Sequence, residues 1–99
     1  MAKYYFTKKA IFDLTKIWEY IVETWSETQA DKYYLLLIDA CNSVAKNPKK
    51  GKLYIENYPY LLGKKISKHI IFYRIIDSST LEITRILNEE MDLKSKHKK

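Results

Sequence analysis

The chain has 99 residues, 46% of them hydrophobic and 14% aromatic, and a net charge of +6 at neutral pH. That length supports one small domain over residues 1–99 with a polar, lysine-rich tail from about residue 93, and the apolar content excludes a disordered chain despite 30% charged residues. The lone Cys41 rules out an internal disulfide, and no apolar run approaches the roughly 20 residues of a spanning helix.

With no positively charged leader ahead of a long apolar stretch, the expected compartment is the cytoplasm, and no membrane partner is expected. Charge is unevenly placed. Five Lys against six acids give residues 1–45 a net −1, whereas eleven Lys and two Arg against six acids give residues 46–99 a net +7. A basic half of this kind can meet nucleic acid or an acidic protein, and charge alone does not choose between them.

Lys3 to Phe6 is short and aromatic and reads as a first strand, with Thr7 placed to cap a helix. Ile11, Leu14, Ile17, Trp18, Ile21, Val22 and Trp25 then recur at steps of three and four, with Lys9, Asp13, Lys16, Glu19 and Glu23 between them. This predicts an amphipathic helix from about Lys8 to Thr24. Ser26-Glu27-Thr28-Gln29 fits a capping box, so a second helix starts almost at once. Its apolar positions Ala30, Tyr33, Tyr34, Leu37, Cys41, Val44 and Ala45 keep helical spacing until Asn47-Pro48 and Gly51 stop it. So short a link requires the two helices to form an antiparallel hairpin.

Residues 49–59 read as a loop with at most one short turn of structure. Tyr60 to Ser67 reads as a weaker strand, and Lys68 to Ile76 and Leu81 to Leu87 as two stronger ones joined by Asp77-Ser78-Ser79-Thr80. The expected fold is α+β, in the order β-α-α-β-β-β, with the helix hairpin packed on a mainly antiparallel twisted sheet.

Cys41, on the apolar stripe of the second helix with no second Cys nearby, reads as a buried thiol. His69 and His97 are too few and too scattered for a metal site, and no cofactor is expected. Glu89, Glu90 and Asp92 are adjacent, but a polar segment after the last strand leaves them solvated and unsuited to acid and base roles. The tail Lys94–Lys99 reads as a solvated end, with electrostatic attraction to an anionic partner as the alternative. Tyr54, Tyr58, Tyr60 and Tyr73 lie among lysines, where core or interface packing competes with base stacking.

Arg74 and Arg85 each interrupt an apolar row: strand alternation puts Ile70, Phe72, Arg74 and Ile76 on one face, and Leu81, Ile83, Arg85 and Leu87 on one face. If those rows face the helices, each guanidinium needs an acid such as Asp13 or Asp39, or must emerge at a groove where a ligand meets it. Both readings stay open.

Taken together, Ala10-x-x-Asp13-Leu14-x-x-Ile17-Trp18-x-Tyr20-Ile21, Gln29-Ala30-Asp31-x-Tyr33, Asn47-Pro48-x-x-Gly51, His69-x-Ile71-Phe72-Tyr73-Arg74-Ile75 and Glu82-Ile83-x-Arg85-Ile86-Leu87-x-x-x-Met91-Asp92 resemble the ParE branch of the RelE/ParE toxin family over almost the whole chain. The resemblance implies the toxin of a bacterial type II toxin-antitoxin system, held inactive by a cognate antitoxin and inhibiting DNA gyrase by binding. RelE-type relatives instead cleave mRNA on the ribosome. They carry an arginine just after the position of His69 and a catalytic Arg, His or Tyr near the end of the last strand, where this chain has Ile70, Leu87 and Asn88. An aliphatic side chain neither moves a proton nor binds phosphate, so the reading favours a binding inhibitor over an enzyme. A histidine common among ParE-type members is replaced by Asn88, and Glu89-Glu90 follows it.

From this resemblance, Lys64, Lys65, Lys68, Arg74, Arg85, Asn88, Met91 and Asp92 are expected to face the target, and Ile11, Leu14, Trp18, Tyr33 and Leu37 the antitoxin. Direct contact with nucleic acid is a secondary expectation. The alternatives are a ribosome-dependent endoribonuclease using His69, Tyr73, Arg74 and Arg85, or a non-toxic relative that only binds its partner.

Overall fold

The computed structural model describes residues 3–54 and 60–89. Strand β1 (Lys3–Phe6) leads directly into α1 (Lys8–Thr24), where Thr7 is the N-cap and its hydroxyl accepts the Ala10 N–H at 3.1 Å. Helix α2 (Glu27–Lys46) follows α1 after a link of two residues, Trp25 and Ser26, with Ser26 Oγ accepting the Gln29 N–H at 3.1 Å. Trp18 Nε1 ties the helices together through Asp31 Oδ1 at 2.9 Å. The predicted helix boundaries and both caps agree with the structure because apolar period and cap chemistry point to the same residues.

After α2, Pro48–Lys50 forms a 3-10 turn, followed by β2 (Lys52–Leu53), β3 (Leu62–Ile66), β4 (His69–Asp77) and β5 (Thr80–Asn88). The sheet order is β1-β5-β4-β3-β2, with β1 parallel to β5 and every other pair antiparallel. The two-residue β2 lies within the expected loop. The weaker strand is shorter than its predicted span of 60–67.

One sheet face packs on the hairpin. Leu14 of α1 and Leu37, Cys41 and Val44 of α2 meet Ile71, Tyr73, Leu81, Ile83 and Ile86 in a single cluster. Truncating a fully buried member such as Leu37 to Ala would cost about 2–5 kcal/mol. The opposite face carries a smaller cluster of Leu61, Ile70, Phe72 and Leu87, with the Tyr54 ring edge-on to Phe72 at a centroid distance of 6.0 Å.

These clusters keep the expected row of Ile70, Phe72 and Arg74 on one face of β4 and correct the row expected on β5. Register shifts fall between Phe72 and Tyr73 and between Ile75 and Asp77, so Phe72 pairs with Arg85 while Tyr73 pairs with Ile83. The extra residue, Thr84, breaks the two-residue alternation. Leu81 and Ile83 therefore share the helix-facing core with Ile86, while Leu87 joins Ile70 and Phe72 on the other face.

Candidate functional site

The bulge and the short β1 together expose a border of β5. Strand β1 pairs with β5 only as far as Ile83, and the chain then turns into α1. Beside the unpaired stretch, α1 supplies Asp13, whose Oδ2 accepts the Ile86 N–H at 3.0 Å and the Arg85 Nε–H at 2.7 Å, while its Oδ1 accepts from Arg85 Nη2 at 2.8 Å. The two side chains are only 8% and 15% exposed. Bonding to Asp13 raises the Arg85 pKa above its ordinary value, so the guanidinium stays charged. Asp13 thus closes a strand edge and neutralises the arginine beside it.

Above this pair lies a groove of about 780 Å³. One bank is α1 and its end, with Phe12, Lys16, Ile17, Tyr20, Ile21 and Trp25; the other is Tyr33 of α2, the Ser67-Lys68-His69 turn and the Arg85–Asn88 end of β5. Phe12, Tyr20 and Trp25 are 58%, 66% and 75% exposed, and Lys16 Nζ sits 5.4 Å from the Phe12 ring centroid. Exposed aromatics are thus gathered along one groove and are not scattered singly over the surface.

His69 Nδ1 lies 2.7 Å from the Tyr33 hydroxyl. Burial pushes the His69 pKa below its ordinary value, partly offset by Asp13, and burial raises that of Tyr33. With the ring neutral, a Tyr33 O–H donated to Nδ1 leaves the ring proton on Nε2.

The four residues of the nuclease alternative are engaged separately. His69 is bound to Tyr33 and Arg85 to Asp13. Tyr73 is 1% exposed and its hydroxyl donates to the Pro48 carbonyl. Arg74 pairs with Glu82 at 2.8 Å, and Glu82 also accepts from the Tyr5 hydroxyl at 3.0 Å. Because Tyr4 and Phe6 pack on the helix-facing core, the intervening Tyr5 and its Glu82–Arg74 pair belong to the other face. Asp39, offered by the sequence as an arginine partner, is exposed; Asp13 and Glu82 take those roles.

The residues expected to face a target divide among several places. Lys68, Arg85 and Asn88 line the groove, Lys64 and Lys65 line a second cavity beside β2, Arg74 is on the outer sheet face, and Met91 and Asp92 lie outside the described residues. Of those expected to face an antitoxin, Tyr33 is in the groove, Ile11 is 52% exposed, and Trp18 is half-buried on Asp31. Leu14 and Leu37 need correction: at 8% and 0% exposure they are consumed by the core and present no surface. Phe12, Lys16 and Tyr20, absent from both sets, recur at steps of four, a second stripe beside the core-facing one that marks the groove bank in the sequence itself.

Cys41 is fully buried, and its thiol pKa is pushed up to about 12 by burial. Glu89 is exposed and pairs with Lys65 at 2.9 Å; Glu90, the other tail acids and lysines, His97 and Tyr58 lie outside the described residues. No group of three or more His, Cys, Asp or Glu able to hold a metal occurs among the described residues, and no helix there is long and apolar enough to cross a membrane.

A two-helix layer on a five-stranded mixed sheet is a fold found in toxin-antitoxin systems. The fold is shared with a chain of the chromosomal ParDE toxin-antitoxin system of P. aeruginosa, at a TM-score of 0.78 and 18% identity, covering 91% of this chain and 98% of that one. Residues 4–93 match the family model of the ParE toxin of type II toxin-antitoxin systems, parDE, and the chain belongs to that family. Toxin ParE1 of Mycobacterium tuberculosis, from strains CDC 1551 / Oshkosh and ATCC 25618 / H37Rv, is in each case 28% identical over 92 residues, spanning 93% of this chain and 94% of its own length.

Proposed function

We propose that this protein is a toxin that acts by binding, with DNA gyrase as its target, and that a cognate antitoxin neutralises it by docking in the groove. The observation that carries a binding mode over a nuclease mode is the separate engagement of His69, Tyr73, Arg74 and Arg85, each by a different protein group. A nuclease needs an acid, a base and phosphate-binding cations converging on one reacting centre. Here the Arg74 and Arg85 charges are already matched by carboxylates, and the Tyr73 hydroxyl is held inside the fold.

The groove suits an amphipathic segment of the antitoxin whose apolar side chains cover Phe12, Tyr20 and Trp25 and whose acids meet Lys16 and Lys68. Gyrase contact is assigned to the basic surface at Lys64, Lys65 and Lys68, to Asn88 and to the segment through Met91 and Asp92. Arg74 and Arg85 contribute to it chiefly by holding the sheet face and the β5 border in shape.

The test is a supercoiling assay with purified protein, run with and without the product of the neighbouring small open reading frame. Inhibition relieved by that product is the expected result. Unaffected supercoiling at many-fold molar excess removes gyrase as the target. Position-specific mRNA breaks in a translating extract, lost in Arg85→Ala at retained fold, would replace the binding mode with the nuclease one.

A further inference from the structure

A second cavity, of about 420 Å³, shares no lining residue with the groove among the described residues and opens where the end of α2, the 3-10 turn, β2 and β3 meet. Both glycines of the chain stand in its wall. A Cβ at Gly51 would collide with the Tyr73 hydroxyl, and one at Gly63 with the Tyr54 ring. The two tyrosines therefore occupy the space that side chains would fill at those positions, and Tyr73 is further anchored on the Pro48 carbonyl. The wall is a built surface.

Around it stand Lys50, Lys52, Lys64 and Lys65, and no carboxylate is among the described residues that line it. Lys65 shares its charge with Glu89, while Lys50, Lys52 and Lys64 take part in none of the ion pairs formed among the described residues. The carbonyl end of α2 brings roughly half a negative charge to the same place, which three ammonium groups outweigh. Ser43 and Asn47 add hydroxyl and amide groups able to donate and accept, and Tyr54 adds an aromatic ring. Anion-attracting cations, a ring and neutral hydrogen-bonding groups in one concavity match the three parts of a nucleotide: phosphate, base face and base edge.

We propose that this cavity binds a nucleoside 5′-phosphate, free or as one unit of a single strand, with the phosphate among Lys50, Lys52 and Lys64 and the base against Tyr54. This assignment shares Lys64 with the surface given to gyrase but is argued without the toxin reading, and its test requires neither gyrase nor antitoxin.

Isotope-labelled full-length protein is titrated with adenosine monophosphate, with inorganic phosphate and with a hexameric oligoadenylate while backbone amides are followed by NMR. Adenosine monophosphate is expected to shift the Gly51 and Gly63 amides and to saturate at a several-fold lower concentration than inorganic phosphate. In the double variant Lys50→Gln with Lys52→Gln, both exposed positions that leave the core intact, affinity for adenosine monophosphate falls about tenfold or more. Tyr54→Leu removes the preference for the nucleotide and leaves phosphate binding in place.

The hexamer separates the two sources. Tighter binding with a salt slope near 0.7 per phosphate contacted identifies a strand. Affinity equal to the mononucleotide identifies the free nucleotide. Unmoved Gly51 and Gly63 amides at about 10 mM adenosine monophosphate, or coincident saturation by phosphate and nucleotide, overturns the proposal.

Discussion

Asp13→Ala isolates what the β5 border contributes. The substitution removes two charge-assisted bonds to Arg85 and the acceptor of the Ile86 N–H, leaving a guanidinium at 15% side-chain exposure without its countercharge. Breaking a buried pair from one side costs roughly 3–5 kcal/mol, and an orphaned backbone donor roughly 1–3 kcal/mol, but access from the groove lets water reach both groups. A net loss of about 3 kcal/mol is expected, which for a domain of this size lowers the melting temperature by roughly 12–24 °C. Urea and thermal unfolding followed by circular dichroism measure it. Asp13→Asn, which keeps an acceptor for Ile86 but not the charge, should lose less. Arg85→Met should lose less than Asp13→Ala, because the carboxylate can still hold Ile86 and meet water, and in a double-mutant cycle the two changes should be strongly non-additive. A loss below about 1 kcal/mol for Asp13→Ala, with additive effects, would show that the pair behaves as a solvated surface bridge and would refute the reasoning.

Ser67 holds a φ of 53° in the two-residue turn between β3 and β4, a region that suits glycine. Ser67→Gly should therefore raise stability by about 0.5–1 kcal/mol and Ser67→Val should lower it by a similar or larger amount, both read as denaturation midpoints; equal midpoints would contradict a left-handed turn. The His69 pKa is lowered in the folded protein, so the folded state resists the proton that the unfolded chain accepts near its ordinary pKa of 6.5. Its stability contribution is complete above that pH and is lost as pH falls through the lower folded value; the melting temperature should drop on acidification below about pH 6.5, less steeply in His69→Gln. Cys41, buried and with its pKa pushed up to about 12, should be silent to a thiol reagent in the native protein and react at once in denaturant. Prompt native labelling would place it at the surface.

The helix hairpin was readable because independent signals coincide: Thr7 and Ser26 as caps, an apolar period between them, and Asn47-Pro48 as the stop. The fold class followed from that hairpin and the two strong strand runs. The face of β4 was readable, but that of β5 was not, because period-two alternation assumes an unbroken ladder and the shift at Phe72/Tyr73 moves Leu87 to the far face from Leu81 and Ile83. No residue type announces it: Thr84 and Arg85 are ordinary strand residues. The partner of Arg85 was readable as an acid, Asp13 being one of two named, whereas Glu82 of Arg74 is a cross-strand neighbour visible only once the register is known. The groove was half legible. Trp25 and Tyr33 stood on helical stripes, but Phe12, Lys16 and Tyr20 form a second stripe that matters only because the strand ends stop short of covering it. The basic cavity depends on Gly51 and Gly63 admitting Tyr73 and Tyr54, a proximity that spacing does not encode.

The way the sheet ends on each side bears on the life of the chain before it meets any other protein. On one flank a four-residue ribbon gives way to a carboxylate that occupies the next free amide; on the other a two-residue ribbon gives way to Lys64 and Lys65. Each border thus offers a recruiting strand only a brief run of backbone before it meets charge, which disfavours self-templated stacking into cross-β polymer. The ladder is thereby closed to further strands of its own kind, while the aromatic trough beside it stays open.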